Sequence, residues 1–209
     1  MPHRPSIYIP SLIAAILFLV GLFYDIQLLR LVTKPIPIGM LIISLCLYHH
    51  REKTFLGALL FSLLGDIILE IPEHLPFAAG LASFLIAHLL YIRCFLMRST
   101  TYIWWPFLPI LIYCGSLFFW MMPGLGVLFV PVAFYVLVIS TMLWSASVYA
   151  HNTRVYPPLF GAIIFALSDS MIAINRFIAD FDGARYAIIM TYWAAQFLLF
   201  SLLSHNQKT

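Results

Sequence analysis

Charged residues are scarce in this sequence. Asp, Glu, Lys and Arg make up 9% of its 209 residues, against about 25% in soluble domains. A chain so poor in charge cannot clothe its surface in polar groups, which excludes an ordinary soluble globule and makes lipid its solvent. Cysteine is scarce as well. Cys46, Cys94 and Cys114 are odd in number and lie in apolar stretches without CxxC spacing. Neither a disulfide framework nor a zinc site follows, and all read as small buried hydrophobes. There is no basic tract to bind nucleic acid, no low-complexity linker and no HExxH pair for a metal.

What the sequence has instead is hydrophobic length. Apolar residues are 63% of the chain, the net charge is +3, and the mean hydropathy is +1.00. A bilayer core needs about 20 apolar residues per helix. The sequence predicts about eight such spans, at 6–24, 35–49, 55–72, 77–97, 102–121, 125–149, 157–178 and 184–204. The expected fold is therefore all-α, a polytopic membrane helix bundle forming one integral membrane domain over 1–209. His3 and Arg4 followed by Ile7–Phe23, with no small-residue cleavage site, read as a retained first span.

An even number of spans leaves both termini on one side. Arg4, Arg51, Lys53, Arg93, Arg98, Arg154 and Lys208 fall on that side, and Arg30, Lys34, Arg176 and Arg185 on the other. The positive-inside rule then puts both termini in the cytoplasm, and the compact loops suit a bacterial inner membrane. Most acids, Asp25, Glu70, Glu73, Asp180 and Asp182, fall on the opposite side. Lys34 and Arg176 lie near span ends, where long cations snorkel to headgroups.

One acid breaks the third span, in Ser62–Ile71, "SLLGDIILEI", and another breaks the seventh, in Phe165–Ile174, "FALSDSMIAI". Asp66 lies about 16 Å and Asp169 about 18 Å along its helix at 1.5 Å per residue, so both belong near mid-membrane. A carboxylate there costs at least about 2.5–3.5 kcal/mol, which marks the matched pair as functional rather than as packing. Each acid precedes an aromatic helix with polar groups at its centre. In the first, His88 and Tyr91 are spaced i, i+3; in the second, Tyr192 and Gln196 are spaced i, i+4. Either spacing puts the pair on one face. The pattern reads as a 4+4 parallel internal repeat, with halves near 1–100 and 101–209, in which the aspartates face each other across an axis along the membrane normal. Blander roles stand beside these. His88 can donate to a carbonyl, Tyr91 and Tyr192 can pack, Gln196 and Asn175 can bridge helices, and Ser168 and Ser170 can bond back to a carbonyl one turn earlier.

The pieces "TKPIPIGML" at 33–41, "LLGDIIL" at 63–69, "FAAGLASFLIAHLLYI" at 77–92, "ALSDSMIAINRF" at 166–177 and "YWAAQFLL" at 192–199 occur in order. Together they resemble the lysoplasmalogenase family of YhhN type, small multi-spanning membrane hydrolases. The fifth and sixth spans carry no motif of the set. The resemblance implies hydrolysis of the vinyl ether bond of a lysoplasmalogen, giving a fatty aldehyde and a glycerophosphoethanolamine or glycerophosphocholine. It implies no nucleotide or organic cofactor, and a lysophospholipid taken from the bilayer as the partner molecule. Catalysis carries over to Asp66 and Asp169. Substrate binding carries over to Lys34, His88, Tyr91, Ser168, Asn175, Tyr192 and Gln196.

A vinyl ether resists nucleophiles until its β-carbon is protonated. The resulting oxocarbenium ion adds water, and the hemiacetal collapses to aldehyde and alcohol. The task needs an acid still protonated near neutral pH and an anion to steady the cation and activate water, much as glycosidases use two carboxyl groups. A carboxyl group in an apolar site holds its proton to higher pH, and two interacting carboxyls divide into acid and base. We expect Asp66 to protonate carbon and Asp169 to handle water, although the near-symmetry allows the reverse. Lys34 and Arg176 are expected to hold the phosphate, and Glu70 or Glu73 the ammonium. Two other classes use the same residues. A proton-coupled carrier would also place acids at mid-membrane. A metal-dependent hydrolase would draw on Asp66, Glu70, His74 and His88.

Overall fold

The computed structural model describes residues 7–48, 52–71 and 77–204. Glu73 and His74, with Arg4, Arg51 and Lys208, lie outside the described residues. Helices are α1 (Tyr8–Phe23), α2 (Gln27–Thr33), α3 (Ile36–Tyr48), α4 (Lys53–Glu70), α5 (Phe77–Leu96), α6 (Phe107–Met121), α7 (Phe129–Thr153), α8 (Pro157–Phe177) and α9 (Ala184–Phe200). No strand occurs among the described residues, so the fold is all-α, the form in which a chain satisfies its own backbone in lipid.

Among the described residues, six segments are long and apolar enough to cross a membrane: Gln27–Tyr48, Phe77–Leu96, Phe107–Gly124, Gly126–Thr153, Pro157–Phe177 and Ala184–Leu203. The sequence predicts about eight. The difference lies in α1, which is apolar but has 16 residues, and in α4, whose 18 residues include Lys53, Asp66 and Glu70. Leu12, Ile112, Phe119 and Val130 are among many large apolar side chains left exposed. That surface suits lipid and makes this an integral membrane protein.

Three boundaries differ from expectation. The second span begins at Gln27 rather than at residue 35. Pro35, which lacks an N–H, interrupts it only between Thr33 and Ile36. Lys34 thus lies inside the segment, not at its end. The fifth predicted span, expected from residue 102, forms α6, which starts at Phe107, after Pro106. The strip before it is tied to α7, where the Asn152 side chain accepts from Thr101 N at 3.0 Å and donates to Thr101 O at 2.7 Å. Trp144 Nε1 also donates to Ile103 O at 2.7 Å. α7 runs on to Thr153, where Arg154 turns left-handed with φ 61°.

The chain forms two compact units, Met1–Ala87 and His88–Thr209. Within the first, Gly65 lies so close to the Phe84 ring of α5 that an added Cβ would come within 2.7 Å of it. Within the second, a Cβ on Gly161 of α8 would sit 2.8 Å from Leu199 N and 3.0 Å from Ala195 O of α9. Helices associate in membranes through such small-residue contacts. They press α4 onto α5 beside Asp66, and α8 onto α9 two turns from Asp169.

Candidate active site

Each unit builds a polar cluster that its helix spacing dictates. In the second unit, α8 presents Phe165 and Asp169 on one face, four residues apart. Tyr135 of α7 donates its hydroxyl to Asp169 Oδ2 at 2.6 Å, a short bond of charge-assisted length. His88 Nε2 stands 3.6 Å from the same oxygen. That is too long for a hydrogen bond but close enough for an ion pair when the ring is protonated. The imidazole is fully buried and held edge-on by Phe165 and Tyr135, with centroids at 4.7 Å and 5.4 Å. Phe165 in turn meets Tyr192 edge-to-face at 5.4 Å. Oδ2 therefore has its partner and its flanking ring, whereas Oδ1 accepts no hydrogen bond among the described residues, and the Asp169 side chain keeps 12% of its surface open. The arrangement fixes the carboxylate through Oδ2 and leaves Oδ1 without a hydrogen bond among the described residues.

Elsewhere in this unit, Tyr91 donates to Gln196 Oε1 at 2.6 Å, joining α5 to α9, while Gln196 Nε2 is buried with no hydrogen-bond partner among the described residues. Ser170 bonds back to Ala166 O at 2.7 Å, as one reading of the sequence expected. Its proton is thereby used, so the contact with Tyr113 at 3.0 Å has Tyr113 as donor. Ser168 instead reaches across to Ile188 O on α9 at 2.9 Å. Asn175 Oδ1 accepts from Phe181 N at 3.3 Å and closes the turn after α8. Arg176 is exposed in the last turn of α8.

In the first unit, Ser62, Asp66 and Glu70 line one face of α4 and are all buried; Asp66 is 2% exposed. Glu70 takes two cations from the broken second span: Arg30 Nε donates to Oε1 at 2.9 Å and Lys34 Nζ to Oε2 at 3.1 Å. Arg30 Nη1 also donates to Asp25 Oδ1 at 2.7 Å and to Gly21 O at 3.3 Å. Arg30, placed between spans by the sequence reading, is buried in α2, and Glu70 is buried at the end of α4. The structure thus brings His88, Tyr192 and Asp169 into one cluster, Tyr91 and Gln196 into a pair, and Lys34 into an ion pair. Ser168 and Asn175 serve the backbone.

Sequence reasoning missed Tyr135, Phe165 and Arg30. Phe165 was legible as the residue four before Asp169. Tyr135 sits in an apolar run with nothing to mark it. Among the described residues no three His, Cys, Asp or Glu side chains converge as a metal site requires.

The model of the YhhN family matches residues 29–203. This chain belongs to the YhhN family. It is 35% identical over 151 residues to lysoplasmalogenase TMEM86B of Rattus norvegicus, covering 68% of this chain and 58% of that protein. It is 35% identical over 158 residues to a lysoplasmalogenase of Mycobacterium tuberculosis, covering 71% of this chain and 60% of that protein. Lysoplasmalogenase TMEM86A of Bos taurus is 30% identical over 160 residues, covering 73% and 66%. The chain spans about three fifths of the length of the relatives it matches first. No solved structure gives a significant match. The family match covers both α4 and α8, and so both aspartates.

Proposed function

We propose that this protein is a lysoplasmalogenase that hydrolyses the vinyl ether bond of a lysophospholipid drawn from the bilayer, with Asp66 and Asp169 as its acid and base. The observation that carries the reading is the Asp169 carboxylate, with Oδ2 anchored by Tyr135 and flanked by His88 and Oδ1 without a hydrogen bond among the described residues, in a chain whose relatives bear that enzyme name. The hydrogen bond from Tyr135 fixes the direction of the carboxylate. Asp169, so held, is the base, which steadies the oxocarbenium ion and draws a proton from water. The proton donor is then Asp66, in its buried setting on α4. It gives a proton to the β-carbon, water adds to the cationic carbon, and the hemiacetal releases the glycerophospho-alcohol. Tyr192, Tyr91 and Gln196 shape the surroundings of Asp169, and Ser168 and Asn175 support α8 from behind. Both termini are cytoplasmic on the count of basic residues.

The test is aldehyde release by purified protein in detergent from an alkenyl lysophospholipid. Wild type should release aldehyde, and Asp66→Asn and Asp169→Asn should each lose at least about 100-fold, the usual scale of a general acid or base, while unfolding at the wild-type temperature. Either variant at wild-type rate removes that residue from the chemistry. Folded wild type without aldehyde overturns the activity and hands the same two acids to a carrier.

A further inference from the structure

Resting on the reading above, we propose that Arg30, Lys34 and Asp25 form a headgroup subsite in the first unit, in which the two cations take the phosphate of a lysophospholipid and Asp25 takes the amine of its ethanolamine.

The four charges of the cluster are unequal in their freedom. Among the described residues, Arg30 and Lys34 stand against Glu70 and Asp25, two charges of each sign. Glu70 is 3% exposed and clasped by both cations, whereas Asp25 is 88% exposed and holds Arg30 through one oxygen. An ion pair with so exposed a partner is worth little, so Asp25 is the anion that exchanges. When it swings aside, Arg30, Lys34 and Glu70 leave one net positive charge, the match for one phosphodiester. The donors are ready as well. Arg30 is held at 8% exposure, and its Nη2 makes no hydrogen bond among the described residues. Lys34 donates once among the described residues, to Glu70, from an ammonium with three donors. A zwitterionic headgroup then replaces one internal pair with two, phosphate on Arg30 and Lys34, ammonium on Asp25.

The spacing fits the same molecule. Glu70, which fixes both cations, follows Asp66 by four residues on one face of α4, a rise of about 6 Å. In a lysoplasmalogen the ether oxygen and the phosphorus are five bonds apart, about 6 Å when extended at bond lengths of ~1.5 Å. A phosphate at the level of Glu70 sets the vinyl ether at the level of Asp66. The polarity runs in the same order, from buried Asp66 through enclosed Arg30 to exposed Asp25. In the lipid it runs from vinyl ether through phosphate to amine.

The experiment measures binding of a saturated 1-alkyl lysophosphoethanolamine, which the reaction leaves intact, to the full chain in nanodiscs. The choline analogue and phosphate-free 1-alkylglycerol run beside it, with inorganic phosphate as competitor. Wild type should bind the phosphoethanolamine lipid at least tenfold tighter than alkylglycerol. Asp25→Asn, a change at an exposed side chain, should cut the ethanolamine-over-choline preference at least threefold. Arg30→Lys, which keeps the charge and loses the fork, should cut the phosphate preference about tenfold. Unchanged preferences in folded Asp25→Asn protein overturn the proposal, as does displacement of the lipid by inorganic phosphate at equal concentration, which would mark a site for free phosphate. Aldehyde release is read separately from the alkenyl substrate. Headgroup selectivity without aldehyde sinks the catalytic reading and leaves the subsite; aldehyde without selectivity does the reverse.

Discussion

Tyr135 shows most plainly what a single side chain contributes here. Its hydroxyl is 2.6 Å from Asp169 Oδ2, and a hydrogen bond to a charged group is worth about 1.5–3 kcal/mol. Tyr135→Phe keeps the ring that packs on His88 and removes only that bond. Turnover in the aldehyde assay should fall about 10- to 100-fold, since each 1.36 kcal/mol is tenfold in rate, with no loss of folded protein. An unchanged rate would leave Asp169 positioned by other groups. At this scale the two aspartates were legible, because a buried acid in an apolar run is costly and so stands out. Tyr135 was not, because a tyrosine among valines and leucines in α7 costs nothing unusual until the fold gives it a partner. Arg30 was misjudged for the opposite reason: its charge placed it in a loop, whereas Glu70 and Asp25 compensate it inside a helix.

At the scale of elements, close helix contact depends on absent side chains. Gly161 faces the α9 backbone, which has no flexible end to yield, so Gly161→Ala should cost about 1–3 kcal/mol, as overpacking does, read as a lower unfolding temperature in detergent. Gly115 on α6 has nothing within 4 Å of its Cβ position. Gly115→Ala should be neutral or stabilise by up to about 1 kcal/mol, the helix propensity difference. Equal effects at both sites would remove the packing argument. The same contact bears on the site, because Ser168 reaches Ile188 O only if α8 stays against α9. Hydrophobic runs located most helices, but their ends moved where side chains decided them. Asn152 and Trp144 hold 101–103 out of helix, and Pro35 interrupts the second span without ending it.

For the whole molecule, lipid is the solvent of the exposed apolar side chains. The cysteines report on this without disturbing it. Cys46, expected to be buried like the other two, is exposed, while Cys94 and Cys114 are buried. A membrane-permeant maleimide should therefore label one thiol per folded chain, at Cys46, and all three after denaturation. Fast labelling of Cys94 in folded protein would contradict the packing of α5.

Composition and apolar run length made this an all-α membrane protein, because a chain with 9% charge takes lipid as its solvent and runs of about 20 apolar residues cross it as helices. The same scarcity of charge singled out Asp66 and Asp169, since each acid in an apolar span must be offset by function or partner. Which partners those acids and cations take was decided by tertiary structure. Tyr135 lies 34 residues from Asp169, and Arg30 lies 40 residues from Glu70. Nothing in local spacing joins them. Helix packing does, by setting donors within 3 Å of acceptors where water is not there to compete.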